Sequence, residues 1–133
     1  MRLLIDTHVL LWAMSGDKRL SKRAEATMLN ADAVFVSAAS IWEISIKSAL
    51  GKLDADVKEL VARMADAGFR ELPVTAAHAA TVRELPDIHR DPFDRMLVAQ
   101  AITEPLRLLS DDDNVAKYTD LVIRVDRHGK QTA

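Results

Sequence analysis

Two aspartates stand three residues apart in HRDPFDRMLVAQA (89–101), and the run behind them is mostly apolar. Asp91 precedes Pro92, which suits the first helical position because it has no N–H to leave unpaired there. Asp91 is thus expected to cap a helix. Asp94 then falls at the third helical position, where an acid meets the positive end of the helix dipole. Yet Asp94 also shares a face with Leu97, Val98 and Ala101, at spacings of three, four and seven. A carboxylate set beside a core face must be paired, protonated or bound to a cation. Arg90 or Arg95 can pair it, so these residues alone leave a structural and a chemical role open.

Glu43, in SIWEISIK (40–47), raises the same problem among Ile41, Trp42, Ile44 and Ile46. An ordinary i, i+4 pair with Lys47 is worth only about 0.2–0.5 kcal/mol, and so apolar a helix has little exposed face to carry it. Two further apolar runs end directly in acids. LLI leads into Asp6, and RLLS into Asp111, Asp112 and Asp113. Acids just past a strand also cap the next helix, so each alone says little. Brought to one edge, they would form a set of hard oxygen donors suited to Mg²⁺ or Mn²⁺. The four histidines have no zinc-ligand spacing with other donors. Neither a glycine-rich phosphate loop nor a GxSxG turn is present.

The elements that must position these acids alternate short strands with helices. RLLID (2–6), AVFVS (33–37), FRELPV (69–74), LRLLS (106–110) and LVIRV (121–125) read as strands. Ser21 caps a helix running to about Asn30, and Ser37 caps one that ends at Gly51. Asp54 starts a third, ended by Gly68, and Thr75 caps AAHAATVREL. The Asp91 helix and a short turn after LRLLS complete the set. Strands of this length separated by helices predict an α/β fold with a parallel sheet covered on both faces. In such sheets, sites form beyond the carboxyl ends of the strands, where strand order reverses.

Composition agrees with one globular domain over residues 1–133. The chain is 49% hydrophobic and 29% charged, without linker, repeat or low-complexity segment. With no cysteine, a disulfide scaffold and thiolate metal sites are excluded, and a reducing compartment fits. Asp6 and His8 interrupt the N-terminal apolar run too early for a signal peptide, and nothing approaches a membrane span. The expected location is the cytoplasm. A net charge of −2 gives the whole chain no nucleic-acid footprint. Positive charge is local: His89, Arg90 and Arg95, then Arg124, Arg127, His128 and Lys130, the latter group reading as a solvated tail.

Four segments, LIDTHVLLW (4–12), SIWEISIK, HRDPFDRMLVAQA and LLSDDDNVAKY (108–118), together resemble the PIN domain family. Within that family they are most similar to the VapC-type toxins of bacterial toxin–antitoxin systems. The resemblance implies a three-layer α/β/α sandwich on a short, mostly parallel sheet. It also implies an endoribonuclease in which four acids hold one or two Mg²⁺ or Mn²⁺ ions. Those acids would be Asp6, Glu43, Asp94 and Asp112, with Asp91 left as the cap. Asp111 and Asp113 stand close enough to compete for the fourth place. Thr7 would orient the site, and His8 occupies a position that is often polar. Apart from the resemblance, Arg90 and Arg95 could hold flanking phosphates of the RNA substrate, the ordinary alternative being a solvated surface position for both.

The same resemblance implies a small VapB-like antitoxin and a homodimeric toxin. Trp42, Ile46, Leu50, Leu53, Leu60 and Met64 could line a groove for an amphipathic antitoxin helix. Two other readings compete. A catalytically inactive PIN-like scaffold, binding RNA or protein, is disfavoured because all four acid positions are filled. A phospho-accepting receiver domain needs an acid pair before the first helix and a lysine after a late strand, and neither is evident.

Overall fold

The computed structural model describes residues 1–125, so Arg127, His128 and Lys130 of the basic tail lie outside the described residues. In chain order the elements are β1 (Arg2–Ile5), α1 (Thr7–Ser15), α2 (Lys22–Asn30), β2 (Ala33–Ser37), α3 (Ala38–Ala49) and α4 (Val57–Asp66). There follow β3 (Arg70–Leu72), α5 (Ala76–Val82), α6 (Pro92–Thr103), β4 (Arg107–Ser110), α7 (Asp113–Ala116) and β5 (Val122–Arg124).

The strands form one five-stranded sheet in the order β3-β2-β1-β4-β5, with every pairing parallel. The connection from β1 leads to β2 on one side, while β4 flanks β1 on the other. Strand order therefore reverses between β1 and β4. Their register sets Ile5 against Leu109, so Asp6 and Ser110 emerge side by side at the carboxyl edge. The amide of Asp6 donates to the Leu109 carbonyl at 3.1 Å and extends the pairing to that edge.

Side chains alternate across the sheet, as the pleat requires. Leu3, Ile5 and Leu109 pack with Val9, Leu10, Ile44, Leu60 and Met64 on one face. Leu4 and Leu108 pack with Leu97, Val98, Leu106 and Val115 on the other. The result is the three-layer α/β/α sandwich. Helix α3 also touches both α4 and α6, so it closes one flank of the sheet.

Local chemistry accounts for most boundaries. Ser37 Oγ accepts from Ala39 N at 3.0 Å, and Asp91 Oδ1 accepts from Phe93 N at 2.9 Å and Asp94 N at 3.1 Å. Gly51 and Gly68 follow their helices at φ of 72° and 88°, a region other residues enter only with strain. Several bounds differ from the sequence expectation: the strands expected over 2–6, 69–74, 106–110 and 121–125 shorten to Arg2–Ile5, Arg70–Leu72, Arg107–Ser110 and Val122–Arg124, and the Thr75 helix ends at Val82. The third expected helix begins later, because Asp56 and not Asp54 caps it by accepting from Glu59 N at 3.1 Å. THVLLWAMS forms α1, which its run of contiguous apolar residues did not announce by periodicity. Val9, Leu10 and Trp12 are all buried there, so the helix has no clean polar stripe.

Leu4 is fully buried between two neighbouring strands. Leu4→Ala is expected to destabilise the protein by about 2–5 kcal/mol in urea denaturation. Leu29→Ala, at a side chain 85% exposed, should stay within about 0.5 kcal/mol of the parent. Equal losses would contradict the assigned core.

Candidate functional site

Asp6 ends β1 and caps α1, its Oδ1 accepting from Val9 N at 2.9 Å. Ser110, at the end of β4, donates its hydroxyl to Asp6 Oδ2 at 2.6 Å. Ser110 Oγ also accepts from Asp112 N at 3.1 Å. One serine therefore ties the two strand-end acids together. Asp112 caps the short α7, its Oδ1 accepting from Asn114 N at 2.7 Å.

Asp94 arrives from α6. A ligand atom of Asp94 lies within 4.8 Å of one from Asp112 and one from His89, which is a grouping able to hold a metal ion. Asp6 and Glu43 do not join that tightest group. Asp6 stays linked to it through Ser110. Thr7 links Glu43 to the residue beside Asp6, its Oγ1 donating to Glu43 Oε1 at 2.7 Å and lying 3.0 Å from Ser40 Oγ. Lys47 occupies Glu43 Oε2 at 2.7 Å. The helical pair weighed as the ordinary explanation for Glu43 is therefore formed, although Glu43 itself is buried.

Burial dominates the electrostatics. It raises the carboxyl of Asp6 above the usual aspartate range, against the bonds from Ser110 and Val9; the nearby charge of Asp112 raises it further. Asp94 is pushed up to about 6, first by burial and then by Asp91, Asp112 and Asp6, while the bond from His89 opposes the rise. Carboxylates held together out of water repel one another, and positive charge relieves the repulsion. The oxygen donor set thus fits a hard divalent cation.

The remaining sequence candidates separate clearly. Asp91 caps α6 through Oδ1. Asp113 pairs with Arg124 and is largely exposed, while Asp112 is the member of SDDD whose side chain enters the acidic group. Asp111 likewise stands outside that group. His8 is exposed and stacks on Trp12 at a 6.0 Å ring separation, and its charge lowers the Asp6 carboxyl slightly against burial. Arg90 is exposed.

Arg95 corrects the sequence reading. Its guanidinium neither pairs with Asp94 nor points outward for phosphates. It donates to the Pro86 carbonyl at 2.9 Å and to Tyr118 Oη at 3.0 Å, with its central carbon 5.8 Å from the Tyr118 ring centre. The chain before α6 wraps back on that helix and presents the Pro86 and Val82 carbonyls to the guanidinium. His89 pairs with Asp94 instead, Nε2 to Oδ2 at 3.1 Å. Sequence reasoning counted His89 as local positive charge and gave no role to Ser110 or Tyr118. His89 precedes the helix cap, so helical spacing says nothing about its position. The one available signal was its closeness in sequence to Asp91 and Asp94.

The expected partner groove divides in two. Trp42, Ile46 and Leu50 form an exposed stripe along α3, with Trp42 64% and Leu50 63% accessible. Leu60 and Met64 are core residues, 8% and 5% accessible, and Leu53 packs against the same cluster. Leu60 and Met64 are one helical turn apart, on the face of α4 that covers the sheet. Beside the α3 stripe lies a groove of about 620 Å³ whose walls include Ala38, Trp42, Val82, Phe93 and Met96.

Comparison with known proteins gives this geometry its setting. The model of the PIN domain family matches residues 3–121. The chain belongs to the PIN domain family. It is 30% identical over 118 residues to Ribonuclease VapC22 of Mycobacterium tuberculosis, covering 86% of this chain and 90% of that protein. VapBC2 from Rickettsia felis, solved bound to a DNA fragment from its promoter, superposes with a TM-score of 0.72 at 11% identity. That match covers 95% of this chain and 100% of the other. VapC20 of Mycobacterium tuberculosis, described as a sarcin–ricin loop cleaving toxin, superposes with a TM-score of 0.62 at 19% identity. It covers 92% of this chain and 98% of the other. These two likenesses show the fold.

The raised carboxyl of Asp94 has a consequence for stability. In the folded protein it holds its proton up to about pH 6, whereas an unfolded aspartate releases it near pH 4. Its stabilising protonation is complete below the unfolded value and is lost as pH rises through about 6. Metal-free Asp94→Asn should therefore unfold at a higher temperature than the parent at neutral pH, with the gap closing on acidification to pH 4 or below. Thermal unfolding in EDTA at both pH values measures it, and a gap independent of pH would refute the origin given.

Proposed function

We propose that the chain is a divalent-metal-dependent endoribonuclease, acting in the cytoplasm as the toxin of a toxin–antitoxin pair. One observation carries the reading. Asp94 and Asp112 meet, with Asp6 tied beside them, where strand order reverses in a PIN-family chain 30% identical to a ribonuclease. Asp94 and Asp112 would hold the ion, with Asp6 and Glu43 completing the acidic site. When bound, such an ion supplies Lewis acidity toward a phosphodiester and its attacking water.

The chain's own residues do the positioning. Ser110 keeps Asp6 and Asp112 in register, and Thr7 turns Glu43 toward the strand edge. Lys47 offsets the charge of Glu43 and is itself held protonated by that contact, with Asp91 and Asp94 adding to the effect. Arg90, exposed just before the α6 cap, is the side chain available for a flanking phosphate. Arg95 is assigned to the scaffold.

Cleavage of RNA should require added Mg²⁺ or Mn²⁺ and stop with EDTA. Asp6→Asn and Asp94→Asn keep the side-chain shape but remove ligand charge, so each should abolish cleavage in a folded protein. Asp91→Asn should retain most activity, because asparagine caps a helix about as well as aspartate. Circular dichroism and a gel assay on the same preparations read both properties. An active Asp94→Asn protein beside an inactive Asp91→Asn protein would reverse the two roles.

The partner reading rests on the α3 stripe of Trp42, Ile46 and Leu50, three apolar residues a turn apart and open to water. An amphipathic antitoxin helix fits such a stripe, and a structure that shares this fold is described as a toxin–antitoxin complex from Klebsiella pneumoniae. The toxin is further proposed to pair with a second copy of itself. Induced expression should slow growth, and co-expression of the neighbouring small reading frame should restore it and yield a stable complex. Leu50→Glu should weaken that complex while leaving RNA cleavage intact. Light scattering of the free toxin reads the homodimer.

A further inference from the structure

His89 belongs to none of the four acid positions, yet its ring stands between Tyr118 and Asp94. Counting hydrogens around the Tyr118 hydroxyl decides which ring nitrogen carries the proton. Tyr118 Oη accepts from the His89 backbone N–H at 3.2 Å and from the Arg95 guanidinium at 3.0 Å. Those two donors fill the lone pairs of a phenolic oxygen. The phenol's own proton has two acceptors in range, His89 Nδ1 at 2.8 Å and the His89 carbonyl at 3.3 Å. A proton on Nδ1 would ask the phenol to accept a third bond, for which it has no lone pair. The phenol therefore donates to Nδ1. The proton of the neutral imidazole then lies on Nε2, which is 3.1 Å from Asp94 Oδ2.

We propose that His89 is a positioning residue of the nuclease site, held by Tyr118 and Arg95 as the Nε2–H tautomer that donates to Asp94. It is not a third ligand of the cation, although it stands within ligand distance of Asp94 and Asp112. A nitrogen that carries a proton has no lone pair for a metal. Donated to Oδ2, that proton fixes the plane of the Asp94 carboxylate and leaves Oδ1 free. The anchor continues outward through Arg95, which grips the Pro86 carbonyl at 2.9 Å and holds the loop carrying His89. This gives Arg95 and Tyr118 a shared task that neither residue's position in sequence suggests. The catalytic side of the inference rests on the nuclease reading; the tautomer does not.

Long-range ¹H–¹⁵N correlation spectra of the full chain in EDTA read the tautomer without substrate or metal. The expected pattern is a protonated Nε2 and a bare Nδ1 at His89, unchanged when Mg²⁺ is added. A proton on Nδ1, or loss of the Nε2 proton on adding Mg²⁺, overturns the inference, the second result making His89 a ligand. Tyr118→Phe removes the phenolic donor and should mix the two tautomers in a protein that keeps its fold. His89→Ala should lower kcat or Mg²⁺ affinity by about 10–100-fold, as expected of a residue supporting a ligand. His89→Gln should recover most of that loss, because its amide donor reaches about as far as Nε2. Failure of both Tyr118→Phe and His89→Gln to behave so overturns the positioning role. The expected tautomer in a wild-type chain that cuts no RNA upholds the lock and refutes the nuclease reading. Cleavage with the opposite tautomer does the reverse.

Discussion

Repulsion among carboxylates held partly out of water is the constraint around which this protein is built. Ligand atoms of Asp94 and Asp112 lie within 4.8 Å of one another. Two unit charges at that separation repel by about 3 kcal/mol at an effective dielectric of about 20. Asp6 adds a third carboxyl group, buried beside them. The protein offsets part of this with donors: Ser110 on Asp6, backbone amides on Asp6 and Asp112, and His89 on Asp94. The carboxyl of Asp94 nevertheless remains raised, which means the donors do not cancel the burial and the neighbouring charges. A divalent cation would supply the missing charge, and the uncompensated part of the site favours one.

The fold serves this arrangement economically. Asp6, Asp91 and Asp112 are each a helix N-cap, and Asp94 lies in the first turn of α6. Three helix N-termini therefore converge on one sheet edge, and their dipoles are favourable to negative charge there. The two roles do not conflict at Asp6, because capping occupies Oδ1 while Ser110 holds Oδ2. At Asp91 the single oxygen Oδ1 serves two amides, and the residue acts as scaffold for the acid behind it. Without a rigid cap at Asp91, the direction of Asp94 would follow a fraying helix end.

A second level of organisation lies outside the acids. Arg95, Tyr118 and His89 form one hydrogen-bonded unit that joins the loop before α6 to the segment after α7. It ties the two elements that carry Asp94 and Asp112, so their separation is fixed from both sides. On the opposite flank, Thr7, Glu43 and Lys47 make a comparable unit between α1 and α3. Helix α3 thereby has two duties: its buried Glu43 faces the strand edge, and its exposed Trp42, Ile46 and Leu50 face water.

Local sequence was enough to determine the strands, most helix ends and the parallel sheet, because these follow from apolar runs, side-chain capping and glycine's freedom at positive φ. It also determined that Asp91 caps and that Asp94 is set beside a core face. The resemblance carried by LIDTH, WEIS, DPFDR and SDDD supplied the family, which composition and periodicity could not. Other features were decided by contacts between residues far apart in the chain. Three consecutive aspartates are chemically alike, and only the pairing of Ile5 with Leu109, which sets Ser110 beside Asp6, brings Asp112 into the acidic group. Arg95 looks like a phosphate ligand until the folded loop presents it with carbonyls and Tyr118. Helix α1 was hidden because burial on most sides erases the periodicity that marks an amphipathic helix. The position of His89 against Asp94 depends on a phenol 29 residues away in sequence, and no local pattern encodes a contact of that kind.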